Sequence, residues 1–195
     1  MLNIYGVKIA ENNYIKILKE FIDILESLEF NKYFLSGGSL LGVIRKNEFL
    51  KWDNEIDFEC KSVDLRKVKN LLAKKFIKKG FRVKCKSFNN KYNKIAVFKN
   101  NFKISLASLE IKNSKFLVSK INILPFAFFK NIKKIKFNGI SLNVPENPEK
   151  YLSYVYKNWK VENRGRFYCN LQYYRSDTLY SFIYKLRRFL LLVEG

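Results

Sequence analysis

Four carboxylates stand at every second position in one short stretch of the chain: Asp53, Glu55, Asp57 and Glu59. They follow a turn of small residues, Ser36-Gly37-Gly38-Ser39. Alternate residues of a strand project from one face. Glu55 and Asp57 would therefore stand side by side, roughly 7 Å apart along the backbone. Like charges that close repel unless a cation sits between them, and a divalent metal is the natural occupant. The two glycines let the backbone turn tightly and come close to a ligand. A helix opening at Ser39, a good N-cap, would aim its unpaired first amides at a phosphate. A metal beside a phosphate is the apparatus of phosphoryl transfer. Each half alone is ordinary, since alternating acids are often just the solvated side of a strand. Their order along the chain, turn then helix then strand, is what points to a site.

The rest of the composition narrows the chemistry. Histidine is absent from all 195 residues. That removes Ser-His-Asp triads, Cys-His dyads and histidine-based zinc sites. Any general base must be a carboxylate, Lys, Tyr or Cys, and any metal site must rely on oxygen ligands, which suit Mg2+ or Mn2+. The formal charge is +21, with Lys and Arg spread along the whole length. Such a chain is drawn to polyanions, although lysines also simply solvate a surface. The three cysteines, Cys60, Cys85 and Cys169, are far apart and form no CxxC pair. Neither a structural zinc nor a disulfide framework is expected, and a reducing, cytoplasmic setting fits. No signal peptide and no apolar run of membrane-spanning length is visible.

The elements that must position the acids can be read from periodicity. Residues from about Asn12 to Glu29 carry an apolar stripe at Tyr14, Ile17, Leu18, Phe21, Leu25 and Leu28, which predicts an amphipathic helix. "YFLSGG" reads as a short buried strand entering a turn, and "EIDFEC" as a strand with Ile56 and Phe58 opposite the acids. "DLRKVKNLLAKKFIKKG" reads as a helix capped by Ser62 or Asp64 and stopped by Gly80. Several strands follow between Phe81 and Ser119, then a hairpin about Asn138-Gly139. A helix with Pro148 near its start runs to about Tyr156, and a last helix spans about Asp177 to Val193. This succession predicts an α/β (α+β) fold.

The stretch "LSGGSLLGVIRKNEFLKWDNEIDFE" resembles the signature of the LicD/fukutin family, through Gly38, Ser39, Leu40, Leu41, Gly42, Arg45, Phe49, Trp52, Asp53, Glu55 and Asp57. A second stretch, "ILPFAFFKNIKKIKFNGISLNVPENPEKYLSYVYKNW", resembles the same family, so the likeness runs from roughly Tyr14 to Val161. The resemblance implies a nucleotidyltransferase-like mixed sheet flanked by helices over residues 1–161, with a basic, aromatic C-terminal helical appendage over 162–195. It implies an enzyme that moves phosphocholine or ribitol phosphate from a CDP-activated alcohol donor to a hydroxyl of a cell-surface glycan. Carried over by position, Glu55 and Asp57 would hold Mg2+ or Mn2+, and Gly37, Gly38 and Ser39 the donor phosphates. Arg45 would brace a phosphate or the carboxylates, and Asp53 would serve as base or anchor.

One departure stands out. The strand "FKISLASLEI" carries Ser105 where the resembling family has an aspartate that completes the metal site or acts as base. Glu110, five residues on and of opposite parity, is a poor substitute, so either Asp53 or Glu59 compensates, the metal site is leaner, or the chain is a weakened, binding-only member. Transfer of a nucleotide itself to a small molecule, RNA or protein is a further reading. Nucleic acid is not the expected partner, since the aromatic residues of "NRGRFYCNLQYYR" are ordinary core material. Lys185, Arg187 and Arg188 lie beside an apolar stripe. They would let the last helix rest on an anionic membrane at its inner face, or else pack on the domain or a second copy. The whole account requires side chains 55 and 57 to converge on one cation; it fails if they diverge or lodge against a neighbouring lysine with no room for an ion.

Overall fold

The computed structural model describes residues 2–4, 7–9, 11–51, 53, 55–88, 92–112, 116–118, 123–156 and 158–162. Trp52, Asn54, Cys169 and the whole of 163–195, with the expected last helix, lie outside the described residues. In chain order the elements are β1 (Leu2–Ile4), β2 (Val7–Ile9), α1 (Glu11–Glu26), β3 (Tyr33–Leu35), α2 (Gly37–Lys46), β4 (Ile56–Lys61) and α3 (Ser62–Lys78). There follow β5 (Arg82–Phe88), β6 (Tyr92–Lys99), β7 (Phe102–Lys112), β8 (Phe116–Val118), β9 (Ile123–Pro125), α4 (Ala127–Lys130), β10 (Ile132–Phe137), β11 (Ile140–Pro145) and α5 (Pro148–Val155). The α/β fold expected from the sequence is the one observed.

The main sheet runs β3-β4-β7-β6-β5, with β8 pairing the far end of β7 and β9 pairing β8. Its pairs are antiparallel except β4 with β7, which are parallel. Parallel neighbours need a crossover, and here α3, β5 and β6 supply it. One face of the sheet is covered. Phe58 on β4 stacks on Phe21 of α1 at 5.3 Å between ring centroids, and Phe21 stacks on Phe76 of α3 at 5.1 Å. The alternation of β4 therefore buries Ile56, Phe58 and Cys60 against these helices and turns Asp57 to the opposite face. Ring pairs of this kind add about 0.5–1.5 kcal/mol beyond area burial.

Several local expectations hold to within a residue or two. The stripe of α1 is buried at Tyr14, Ile17, Leu18, Phe21 and Leu25. The β10–β11 hairpin turns through Asn138 (φ 45°) and Gly139 (φ 79°), the left-handed pair that a two-residue hairpin demands. Helix α5 starts with Pro148 in its first turn, and the Asn147 side chain accepts a hydrogen bond from the Lys150 amide at 3.0 Å. Two caps differ. Lys61, not Ser62 or Asp64, precedes α3, because Ser62 is already helical and buried. Helix α2 begins at Gly37 with Ser36 as its N-cap residue, so Ser39 lies inside the first turn.

Helix α2 is held by what passes over it. Asn47, at φ 53°, ends the helix and returns its amide to the Gly42 and Val43 carbonyls. The chain then folds back across Gly42. A methyl group there would overlap the Glu48 carbonyl oxygen and press within 3.0 Å of the Leu50 amide and 3.2 Å of the Phe49 Cα. Backbone cannot yield as a side-chain tip can. Gly42→Ala is expected to cost about 1–3 kcal/mol in urea unfolding. Gly80→Ala, at φ 79° with nothing within 4 Å, is expected to cost only the left-handed penalty of about 1 kcal/mol. A Gly42 variant as stable as the wild type would contradict this packing.

Candidate active site

The face of the sheet opposite α1 and α3 carries the acids. The parallel register sets Asp57 opposite Ser105 and Glu59 opposite Ala107, while the antiparallel register on the other side of β7 sets Ala96 opposite Ser105 and Lys94 opposite Ala107. Glu55 lies one residue ahead of β4, where it ion-pairs with Lys103 of β7. Lys94 reaches across the small side chains of β7, and its ammonium lies 3.8 Å from an oxygen of Glu55 and 3.8 Å from an oxygen of Asp57. The two carboxylates thus converge on one cationic point. That point is held by a lysine, with a second lysine on Glu55.

Ser105 occupies the place that the sequence singled out. It is fully buried, and its hydroxyl donates to the Asp57 carboxylate. A carboxylate at 105 would stand against Asp57 as a second like charge; the hydroxyl instead offers a proton. Glu110 does not substitute, since it sits five residues along β7, where the strand pairs with β8 opposite Val118.

The small-residue turn is used differently from the expectation. Ser39 is buried, and its hydroxyl accepts from the Asp57 amide at 3.0 Å and donates to the Glu55 carbonyl at 3.4 Å. It braces the acid-bearing backbone, and its side chain is committed there. Gly37 does adopt the left-handed conformation, φ 56°, that a tight turn requires. Gly38 permits a close approach, but of the chain's own Asp53: a methyl there would overlap the Asp53 carboxylate oxygen. Asp53 therefore lies at the positive end of α2, where a carboxylate is favoured. Of its two expected roles, anchor fits this position. Arg45 is not brought to the acids. Near the end of α2, it donates to the Trp159 carbonyl at 3.4 Å and the Val161 carbonyl at 3.5 Å, tying α2 to the segment after α5.

Sequence reasoning missed Lys94 and Lys103. Nothing in a Lys-rich sequence separates these two from their neighbours; only the registers of β6 and β7 bring them to the acids. It also counted Glu59 among the site's acids, as one able to compensate for Ser105, whereas Glu59 is 8% exposed, with the Tyr151 hydroxyl donating to it at 3.5 Å. The fourth acid of the alternation is a core residue.

Burial pushes the Asp57 carboxyl above its ordinary value, with the Glu55 charge adding to it and Lys94, the Ser105 hydroxyl and Lys103 opposing. Burial also pushes Glu59 from 4.5 up to about 8, helped by the Asp57 charge. A raised carboxyl binds its proton more tightly folded than unfolded. Its contribution to stability is complete below about pH 4.5 and is lost as pH rises through about 8. In metal-free buffer, Glu59→Gln should therefore gain on the wild type in urea midpoint as pH rises from 5 to 9. A difference that stays constant across that range would contradict the buried, protonated acid.

The family model described as LicD/FKTN/FKRP, nucleotidyltransferase domain, matches residues 31–147, a segment that holds α2, all four acids and the β10–β11 hairpin. No curated protein matches the chain. Among solved structures, the solution structure of the antibiotic-resistance factor ANT(2'')-Ia is similar at 8% identity and a TM-score of 0.48, over 70% of this chain and 66% of that one. The matched segment covers more than half of the sequence: the chain belongs to the LicD/FKTN/FKRP family.

Proposed function

We propose that this protein moves a phospho-alcohol, of the phosphocholine or ribitol-phosphate kind, from a CDP-activated donor to a hydroxyl of a glycan. The observation that carries the reading is the convergence of Glu55 and Asp57 on one cationic point, 3.8 Å from an oxygen of each. Magnesium is commonly bound by one or two carboxylates together with substrate phosphates, so this donor pair fits a single Mg2+ or Mn2+. Glu55 and Asp57 would hold it, and when bound it supplies positive charge against the donor's diphosphate.

The chain's own residues do the rest. Ser105 fixes the direction of the Asp57 carboxylate through its hydroxyl. Ser39 holds the backbone that carries both acids. Asp53 keeps the start of α2 covered by a carboxylate. The acceptor hydroxyl oxygen forms a bond to the donor phosphorus, the phosphorus–oxygen bond to CMP breaks, CMP leaves, and the hydroxyl proton passes to solvent. Such transfers depend mainly on positioning and charge neutralisation. Exposed lysines on β10, Lys133, Lys134 and Lys136, would draw an acidic acceptor. The basic, apolar-striped sequence 177–193 would draw the protein to an anionic membrane face.

The family description names a nucleotidyltransferase domain, which favours a second reading in which CMP itself is transferred. Product mass separates the two. Incubation with CDP-choline or CDP-ribitol and a glycan acceptor should give a product heavier by the phospho-alcohol; an adduct heavier by CMP would establish the second reading. Asp57→Asn keeps an acceptor for the Ser105 hydroxyl but loses the charge. It should abolish transfer, at least about a hundredfold, with a melting temperature at or above the wild-type value. Full activity in that variant would end the role given to Asp57.

A further inference from the structure

Of the side chains expected to receive the donor's diphosphate, Ser39 and Arg45 have hydrogen-bond partners within the chain. The Asp53 carboxylate lies against Gly38, the Ser39 hydroxyl is bonded to β4, and Arg45 is bonded to the Trp159 and Val161 carbonyls. The cations that do stand at the acid pair are Lys94 and Lys103, on the two strands next to each other, β6 and β7. The ammonium of each has carboxylates as its partners, and their side chains are only 25% and 23% exposed. Ala107, opposite Lys94, and Ser105 beside it are small, so Lys94 can lie across β7 to the acids.

We propose that Lys94 and Lys103 are ligands of the donor's diphosphate, held in reserve by Glu55 and Asp57, so that the divalent cation and the diphosphate must load together. This rests on the acid pair being the metal site. The argument is one of charge. Two carboxylates and two ammoniums sum to zero. A divalent cation arriving alone displaces both ammoniums and leaves them beside it without counter-charge. A diphosphate arriving alone can draw the ammoniums away only by leaving two neighbouring carboxylates unpaired. When both arrive, the cation takes the carboxylates and the diphosphate diester, with its two negative charges, takes the lysines. Every charge is then paired. Each ligand therefore raises the affinity of the other by the same factor.

The test is calorimetry on the full chain with Mn2+ and CDP as probes, supported by Mn2+ spin resonance. In the wild type, Mn2+ alone should bind weakly and bind at least about tenfold more tightly when CDP is saturating. The double variant Lys94→Met, Lys103→Met should behave oppositely for the two ligands. Mn2+ alone should bind at least about tenfold more tightly than to the wild type, while CDP binding weakens and its coupling to Mn2+ shrinks. The pair Lys94→Arg, Lys103→Arg should restore CDP binding and coupling. A lysine that merely supported the fold would weaken both ligands on replacement. If the methionine variant gains nothing for Mn2+ while Asp57→Asn abolishes Mn2+ binding, the lysine role is overturned and the metal reading survives. If Mn2+ binds to neither the wild type nor the methionine variant, with or without CDP, the metal reading fails and this inference falls with it. Should the double variant not fold, Lys94→Met alone is read in the same way.

Discussion

The parallel ladder between β4 and β7 is the constraint on which the acid site depends. It pairs Asp57 with Ser105 and Glu59 with Ala107, and through β7 it brings the lysine of β6 within reach of acids two strands away. Because side chains alternate across a strand, the same ladder that buries Ile56 and Phe58 under α1 and α3 must present Asp57 on the opposite face. A slip of one residue would put the carboxylate into the aromatic core and Phe58 among the charged groups of the other face. The Phe21–Phe58 and Phe21–Phe76 contacts therefore do more than stabilise. They make the wrong register too costly to occupy, and in doing so they set the place of the charged group.

Charge compensation is the second theme. The site has two carboxylates facing two ammoniums, a hydroxyl where a third carboxylate would have repelled the other two, and, two residues along the strand, Glu59, whose carboxyl burial pushes up to about 8. Each device lowers the need for an external cation in the free protein. A site that is neutral before loading gains most from a pair of ligands that are neutral together.

The small residues of α2 illustrate how one pattern can serve two purposes. Glycines in a turn before a helix suit a phosphate, and they suit close packing equally well. Here Gly38 admits Asp53 and Gly42 admits the returning backbone of residues 48–50. Ser39, in the same turn, bonds to the strand that carries the acids. The helix is thereby a wedge that fixes β4 from one end.

What the sequence by itself determined follows from short-range rules. The period of α1, the alternation of β4, the Asn138-Gly139 turn and the Pro148 helix start are all local, and each was legible because neighbouring residues decide it. Glu55 and Asp57 were legible for the same reason: residues two apart on a strand share a face wherever that strand lies. Only the tertiary structure decided what meets them. Lys94 and Lys103 are two among 38 basic residues, and their distance in sequence from Glu55 says nothing of contact. Strand order and register, which bring residues forty or so positions apart within ion-pairing distance, are set by how the whole sheet closes over its core. The same holds for Glu59, exposed by alternation alone but buried by the approach of Tyr151 from α5, and for Arg45, drawn to carbonyls more than a hundred residues away. A local pattern can say which way a side chain points; it takes the packing of distant elements to say what is there.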